Sequence, residues 1–264
     1  MSKIIWIASY PKSGNTWVRF LVCNLAFGPV DSAATLNRLA PDIHELGAAV
    51  EPPSAPVFMK THFPYSDALP LAGHTAGAIY VLRDPADVML SNYHYAKRSG
   101  AAAGDDDEAA LDRYLDTFIA AHGDPRWLKL GMGSWQDHVR SWLGVKHPFP
   151  VLRIRYEDLL ADGIQVAGSL CRALGLARGA EDLAMAVAAA SFESMRQIEE
   201  ADIGAQRVGI FYKPYLKQPI EAGLRFMRSG KSGEAVTRLS AQQWQRFNAV
   251  FGAMRRELGY GLST

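Results

Sequence analysis

Lys3-Ile4-Ile5-Trp6-Ile7-Ala8-Ser9-Tyr10-Pro11-Lys12-Ser13-Gly14-Asn15-Thr16-Trp17 is the stretch on which the fold turns. An apolar run, Ile4–Ala8, gives way to a loop of small residues, and an apolar-periodic segment follows through Phe20, Leu21 and Leu25. Strand, loop and helix in that order form an anion-binding unit. The loop aims backbone N–H groups and the positive end of a helix dipole at one point, and Lys12 adds a full charge there. The nucleotide triphosphatase pattern, GxxxxGK[ST], is not met: Lys12 precedes Gly14, no upstream glycine opens the loop, and Pro11 stiffens its entry. The segment reads as a phosphate or sulfate cradle of another kind.

Outward from this unit, three more apolar runs read as buried parallel strands: Val57–Thr61, Gly77–Arg83 and Pro150–Ile154. Helical periodicity fills the intervals. Asp84-Pro85 supplies an N-cap and a proline at the first helical position, opening Ala86–Tyr95. Glu108–Ala121, Ser134–Leu143, Glu157–Leu176, Glu181–Ala190 and Ala241–Leu258 also read as helices. Strands alternating with helices give the fold class: a single α/β domain, residues 1–264, with a mostly parallel sheet flanked by helices. Ligands of such sheets sit at the carboxyl ends of the strands. Two stretches lack periodicity, the small and acidic Ser99–Asp107 and the longer Ala201–Ser232, which reads as a lid-like loop.

At 264 residues with 48% hydrophobic and 21% charged residues, the chain can bury a large core. A net charge of +1 argues against a nucleic-acid or polybasic membrane binder, so any anion site must be local. Cys23 and Cys171 are too few for a disulfide framework and read as buried reduced thiols. No signal peptide is visible and no run reaches the roughly 18 apolar residues of a membrane span. The expected setting is the cytoplasm.

Tyr10–Trp17, YPKSGNTW, resembles the 5′-phosphosulfate loop of the cytosolic-type sulfotransferases, whose donor is 3′-phosphoadenosine 5′-phosphosulfate (PAPS) and whose product is its desulfated form, PAP. Lys60-Thr61-His62-Phe63-Pro64 resembles the motif whose histidine deprotonates the acceptor, and an imidazole is the natural base for an alcohol or phenol. The resemblance implies that Lys60 lines the acceptor side. Arg83 and Ser91, a strand end and the second turn of the next helix, resemble the family's 3′-phosphate site; on residue type alone Arg83 could instead pair with Asp87. Tyr156 of Arg155-Tyr156-Glu157-Asp158 is similar to the family tyrosine that reaches the nucleotide, with Glu157 and Asp158 as charges at a helix start. Phe192 and Trp17 offer apolar or stacking surface for adenine, and His138 reads as scaffold. The resemblance implies that Lys12, Ser13, Gly14, Asn15, Thr16 and Trp17 complete the donor loop, with Lys12 and the N–H groups of Ser13–Thr16 stabilising charge on the leaving phosphate.

The last block departs from the pattern. Arg228, Gly230 and Gly233 match it, but Ser229, Glu234 and Ala235 stand where the family carries lysine, aspartate and tryptophan, and Lys231 is the nearest substitute cation. The family's dimer motif is not recognisable in Val236–Gln245, so the oligomeric state stays open. The implied activity is metal-free transfer of a sulfuryl group from PAPS to a hydroxyl, or an amine, of a small molecule. Phe63, Tyr65, Tyr93, Tyr95, Phe211, Tyr212 and Tyr215 point to an aromatic or bulky apolar acceptor. Two alternatives remain: a P-loop-like kinase, for which Asp84 is the obvious metal-binding carboxylate, and a non-catalytic nucleotide-binding protein, against which Lys12 and His62 together argue.

Overall fold

Strand β1 (Ile4–Ala8) takes the centre because both of its faces are apolar. In a computed structural model, which describes residues 3–47, 51–99, 108–216 and 220–261, it pairs in parallel with β2 (Val57–Thr61) on one side and β3 (Thr75–Leu82) on the other. β4 (Val151–Arg155) pairs in parallel with β3, giving the order β2-β1-β3-β4. Two of the four strands fall where the apolar runs begin and end. β3 starts two residues early, at Thr75, which accepts a hydrogen bond at 2.8 Å from the buried Trp6 indole. β4 is displaced by one residue, because Pro150 has no N–H to give and contributes only its carbonyl, to Ala78 N at 2.9 Å.

The period-two alternation of the strands splits the core into two. Ile4, Trp6 and Ala8 of β1 with Ala78, Tyr80 and Leu82 of β3 face one layer. That layer is built from α3 (Pro85–Arg98), α4 (Glu108–Ala120), α6 (Trp135–Leu143) and α12 (Ala241–Glu257). Ile7, Ile79, Val81 and Ile154 face the other, formed mainly by α1 (Asn15–Phe27), α8 (Gly163–Leu174) and α9 (Ala180–Ala189). Cys23 and Cys171 are buried free thiols in this second layer.

The expected helix 157–176 is two helices, α7 (Tyr156–Ala161) and α8, because Asp162 leaves helical geometry and caps the second by accepting from Gln165 N at 2.9 Å. The non-periodic stretch also begins later than expected. α10 (Phe192–Gly204) runs into it, started by Ser191, whose hydroxyl accepts from Ser194 N, and held by buried Asp202, which accepts from Ala33 N at 3.1 Å and Arg207 Nε at 2.7 Å. Among the described residues, the short helices α2 (Ala33–Leu39), α5 (Pro125–Lys129) and α11 (Glu234–Arg238) escaped the periodicity reading. Beyond Ser99, the acidic loop of the sequence lies outside the described residues. No helix among the described residues is long and apolar enough to cross a membrane.

Candidate active site

Every strand delivers one part of the site at its carboxyl end. β1 runs into the loop Ser9–Gly14, β2 into His62, β3 into Arg83 and β4 into Tyr156. The loop bends sharply: Lys12 has φ 71°, rare for a residue with a side chain, and Gly14, the N-cap of α1, has φ 100°. Gly14 is needed for space as well as for angle, because a Cβ there would stand 2.5 Å from Tyr156 Cδ2. The Tyr156 ring therefore lies directly against the loop. Its neighbours are the Trp17 indole, edge-on at 5.3 Å, and the Arg83 guanidinium at 4.1 Å above the ring. Gly230 repeats the device at φ 65°, where a Cβ would meet Phe192 Cδ2 at 2.5 Å.

Lys12 points its ammonium between the Tyr95 and Phe226 rings, at 4.4 and 4.3 Å from their centroids. Burial, with the positive charges of Arg98 and Arg83, brings its pKa down to about 7. Arg83, buried, gives Nη2 to Lys231 O at 2.9 Å and Nη1 to Lys12 O at 3.3 Å, while its Nε has no partner. Asp87 does lie 4.0 Å from Arg83, but its oxygens accept from Gly233 N at 2.6 Å and Ala235 N at 3.1 Å, which caps α11. The chain thus gathers cations and aromatic faces around a pocket suited to an anionic nucleotide.

His62 is held in one tautomer. Nδ1 lies 2.7 Å from the Ser9 carbonyl, which can only accept, so Nδ1 carries the proton and Nε2 keeps its lone pair. Its backbone N–H donates to His44 Nε2 at 2.8 Å, and its carbonyl accepts from His138 Nε2 at 3.1 Å; Tyr80 O–H in turn donates to His138 Nδ1 at 2.9 Å. His138 is buried scaffold, as the sequence reading has it. Burial, then the nearby Lys60 and His44, place the His62 pKa well below its ordinary value, so the ring is neutral at pH 7.

One cavity of about 500 Å³ takes in both halves. Lys12, Gly14, Asn15, Thr16 and Trp17 line it together with Lys60, His62, Arg83, Ser91, Tyr156, Phe192, Arg228 and Gly230. Side-chain contacts refine several of these expectations. Ser13 is buried and does not line the cavity. Asn15 turns its amide away, donating to Ile7 O at 2.9 Å and Ser9 Oγ at 3.2 Å, so it braces the loop against β1. Lys60 reaches the cavity wall but its ammonium is held by buried Asp42. Arg228 forms a bidentate pair with Glu234, and Ser229 Oγ donates to the same carboxylate at 2.8 Å, so the Arg228 charge already has a partner. Of the aromatics expected near an acceptor, only Tyr95 and Tyr215 line the cavity; Tyr93, Phe211 and Tyr212 are core, and Phe63 and Tyr65 pack on neighbouring rings. His44, Asp42, Trp127 and Met132 line it unforeseen, because their positions follow from chain crossings that no local motif records.

The sequence matches the family model described as sulfotransferase domain over residues 2–259. It is similar to sulfotransferase 1A1 of Canis lupus familiaris, 28% identical over 97% of this chain and 84% of that one, and to sulfotransferase 2A6 of Rattus norvegicus, 25% identical over 93% and 82%. Human sulfotransferase 2B1 is 30% identical over 73% of this chain and 52% of its own length. In fold it is similar to mouse sulfotransferase SULT7A1 complexed with PAP, with a TM-score of 0.68 at 20% identity over 96% of this chain and 84% of that one. A retinol dehydratase complexed with androsterone and PAP gives 0.68 at 19% identity, over 96% of this chain and 81% of that one. With a match of that extent, this chain belongs to the sulfotransferase domain family.

Proposed function

We propose that the protein moves the sulfuryl group of PAPS to a hydroxyl of a small molecule, with His62 as general base. The observation that supports this reading is the His62 tautomer: a neutral imidazole with Nε2 unengaged, in the same cavity as Lys12. Nε2 takes the proton from the acceptor hydroxyl as that oxygen bonds to sulfur. The bond from sulfur to the 5′-phosphate oxygen breaks, and Lys12 with the loop N–H groups meets the charge left on that oxygen. Arg83 and Ser91 serve the 3′-phosphate, with Arg228 weakened by Glu234. Trp17, Tyr156 and Phe192 enclose the adenine, and the segment following α10 covers the nucleotide as a lid.

The residues fit such a ligand on their own terms: an unpartnered Nε on buried Arg83, a lysine with no salt bridge among the described residues, and two glycines against which the Tyr156 and Phe192 rings pack. The kinase alternative loses its carboxylate, since Asp84 caps α3 through Ala86 N at 2.9 Å and pairs with Arg255 at 2.9 Å. In His62→Ala, kcat should fall by about 10²–10⁴-fold with PAP affinity intact. Because the His62 pKa is lowered, the base is ready at neutral pH, and wild-type activity should fall only as pH drops well under 6.5. Near wild-type turnover in the variant, or an acidic limb above 6.5, removes His62 from the proton transfer.

A further inference from the structure

A second cavity, of about 470 Å³, shares a wall with the first: Lys12, Ser91, Tyr95, Arg98, Phe226 and Arg228 line both. Its cations are Lys12, Lys97, Arg98, Arg196, Arg225 and Arg228, with no aspartate or glutamate among the described lining residues. Arg228 is answered from behind by Glu234 and Arg196 by Glu200 at 3.3 Å. Among the described residues, Arg98 and Arg225 have no salt-bridge partner. Arg98 is 3% exposed and donates Nη2 to Phe211 O at 2.8 Å, but its Nε has no partner. Arg225 donates Nη1 to Ile220 O at 2.8 Å and likewise leaves a buried Nε unpaired.

The two guanidinium groups repel each other, and Arg98 also repels Lys12. Glu199 attracts Arg98 through space, but its oxygens accept from Phe226 N at 2.6 Å and Met227 N at 2.9 Å. Like charges held together out of water are unfavourable until an anion enters. Of this lining, Lys12, Ser91 and Arg228 serve the donor in the reading above, which leaves Arg98 and Arg225 without an assigned anion. Ser91, Tyr95 and Arg98 follow at helical spacing along one face of α3, which puts the Arg98 backbone roughly 10 Å past that of Ser91, at about 1.5 Å per residue. His62 lines only the larger cavity, whereas Tyr95 and Arg98 line both. An acceptor with its hydroxyl at His62 can therefore extend past Tyr95 into the cationic cavity.

We propose that the acceptor is itself an anion, carrying a carboxylate, sulfate or phosphate that Arg98 and Arg225 hold in the second cavity. The assignment rests on the sulfuryl-transfer reading. The probes are 4-hydroxyphenylalkanoic acids of increasing chain length, each beside its primary amide, measured for PAPS-dependent turnover and for calorimetric binding to the protein–PAP complex. At the chain length that spans the two cavities, the acid should exceed its amide by roughly tenfold or more in kcat/KM and in affinity. Measured at pH 6, where Lys12 is charged with or without Arg98, Arg98→Met and Arg225→Met should each erode that preference and leave PAP affinity unchanged, while Arg98→Lys should keep part of it. If Arg98→Met fails to fold for want of its bond to Phe211, the half-buried Arg225 carries the comparison. Acids and amides bound equally at every length would overturn the proposal. So would an Arg98→Met variant that loses PAP as steeply as it loses the acids, because Arg98 would then serve the donor. Failure of every phenol to turn over, with the acids still preferred in binding, would instead count against sulfuryl transfer and leave the anion site standing.

Discussion

Lys12 concentrates the chemistry of the site in one residue. Its backbone is held at φ 71°, and its ammonium faces aromatic rings and other cations with a pKa of about 7. With the site empty at pH 8 most of this side chain is therefore neutral. A bound phosphate favours the charged form and raises the pKa, so binding must draw in a proton above pH 7 and need none well below it. PAP affinity should be flat at low pH and fall above about pH 7, by up to about tenfold per pH unit. Calorimetry at pH 8 in buffers of different ionisation enthalpy should register proton uptake, absent in Lys12→Met. Affinity independent of pH between 6 and 9 would mean that Lys12 stays charged in the empty protein.

At the scale of elements, two ring-on-glycine contacts lock separate pieces of chain together: Tyr156 of α7 on Gly14, and Phe192 of α10 on Gly230. Gly230→Ala meets both a left-handed backbone and a ring at 2.5 Å, so Phe192 must move. The change should weaken PAP binding by about 1–3 kcal/mol and lower the melting temperature by less than Gly14→Ala does, since Gly230 lies at a cavity edge and Gly14 opens α1. Unaltered PAP affinity in Gly230→Ala would show that Phe192 does not shape the nucleotide pocket. What the sequence discloses at this scale follows chain locality. The loop Tyr10–Trp17, His62, Arg83 and the strands β1 and β2 are legible because each is a continuous run with its own period or spelling. The break at Asp162, the Arg228–Glu234 pair and the His44 support for His62 are not. The first is one cap overriding a continuous apolar stripe. The other two depend on which side chains the fold brings within reach, and residue type alone does not set that.

Across the whole molecule, the C-terminal helix is tied to the site by charge. Arg255 of α12, 2% exposed, donates to both Asp84 oxygens, at 3.2 and 2.9 Å, directly behind Arg83. Arg255→Ala should destabilise the protein by about 2–4 kcal/mol, less than stranding a wholly buried charge because the Asp84 side chain keeps some contact with water. The melting temperature should drop by roughly 5–15 °C, and PAP should restore part of it through binding to the folded state. A drop without rescue at saturating PAP would place the damage in nucleotide recognition as well as in stability.

The strand order β2-β1-β3-β4 carries a consequence for stereochemistry. Read across the carboxyl edge, it sets His62 beyond one side of the phosphosulfate loop and Arg83 and Tyr156 beyond the other. In the proposed mechanism, an oxygen activated at His62 would approach sulfur from the β2 side, while the nucleotide would depart toward β3 and β4, in line and from the opposite face. A single displacement of that geometry turns the sulfur centre inside out. PAPS made chiral with three oxygen isotopes should yield a sulfate ester of inverted configuration, and a retained configuration would require a side chain of the protein to carry the sulfuryl group between two displacements.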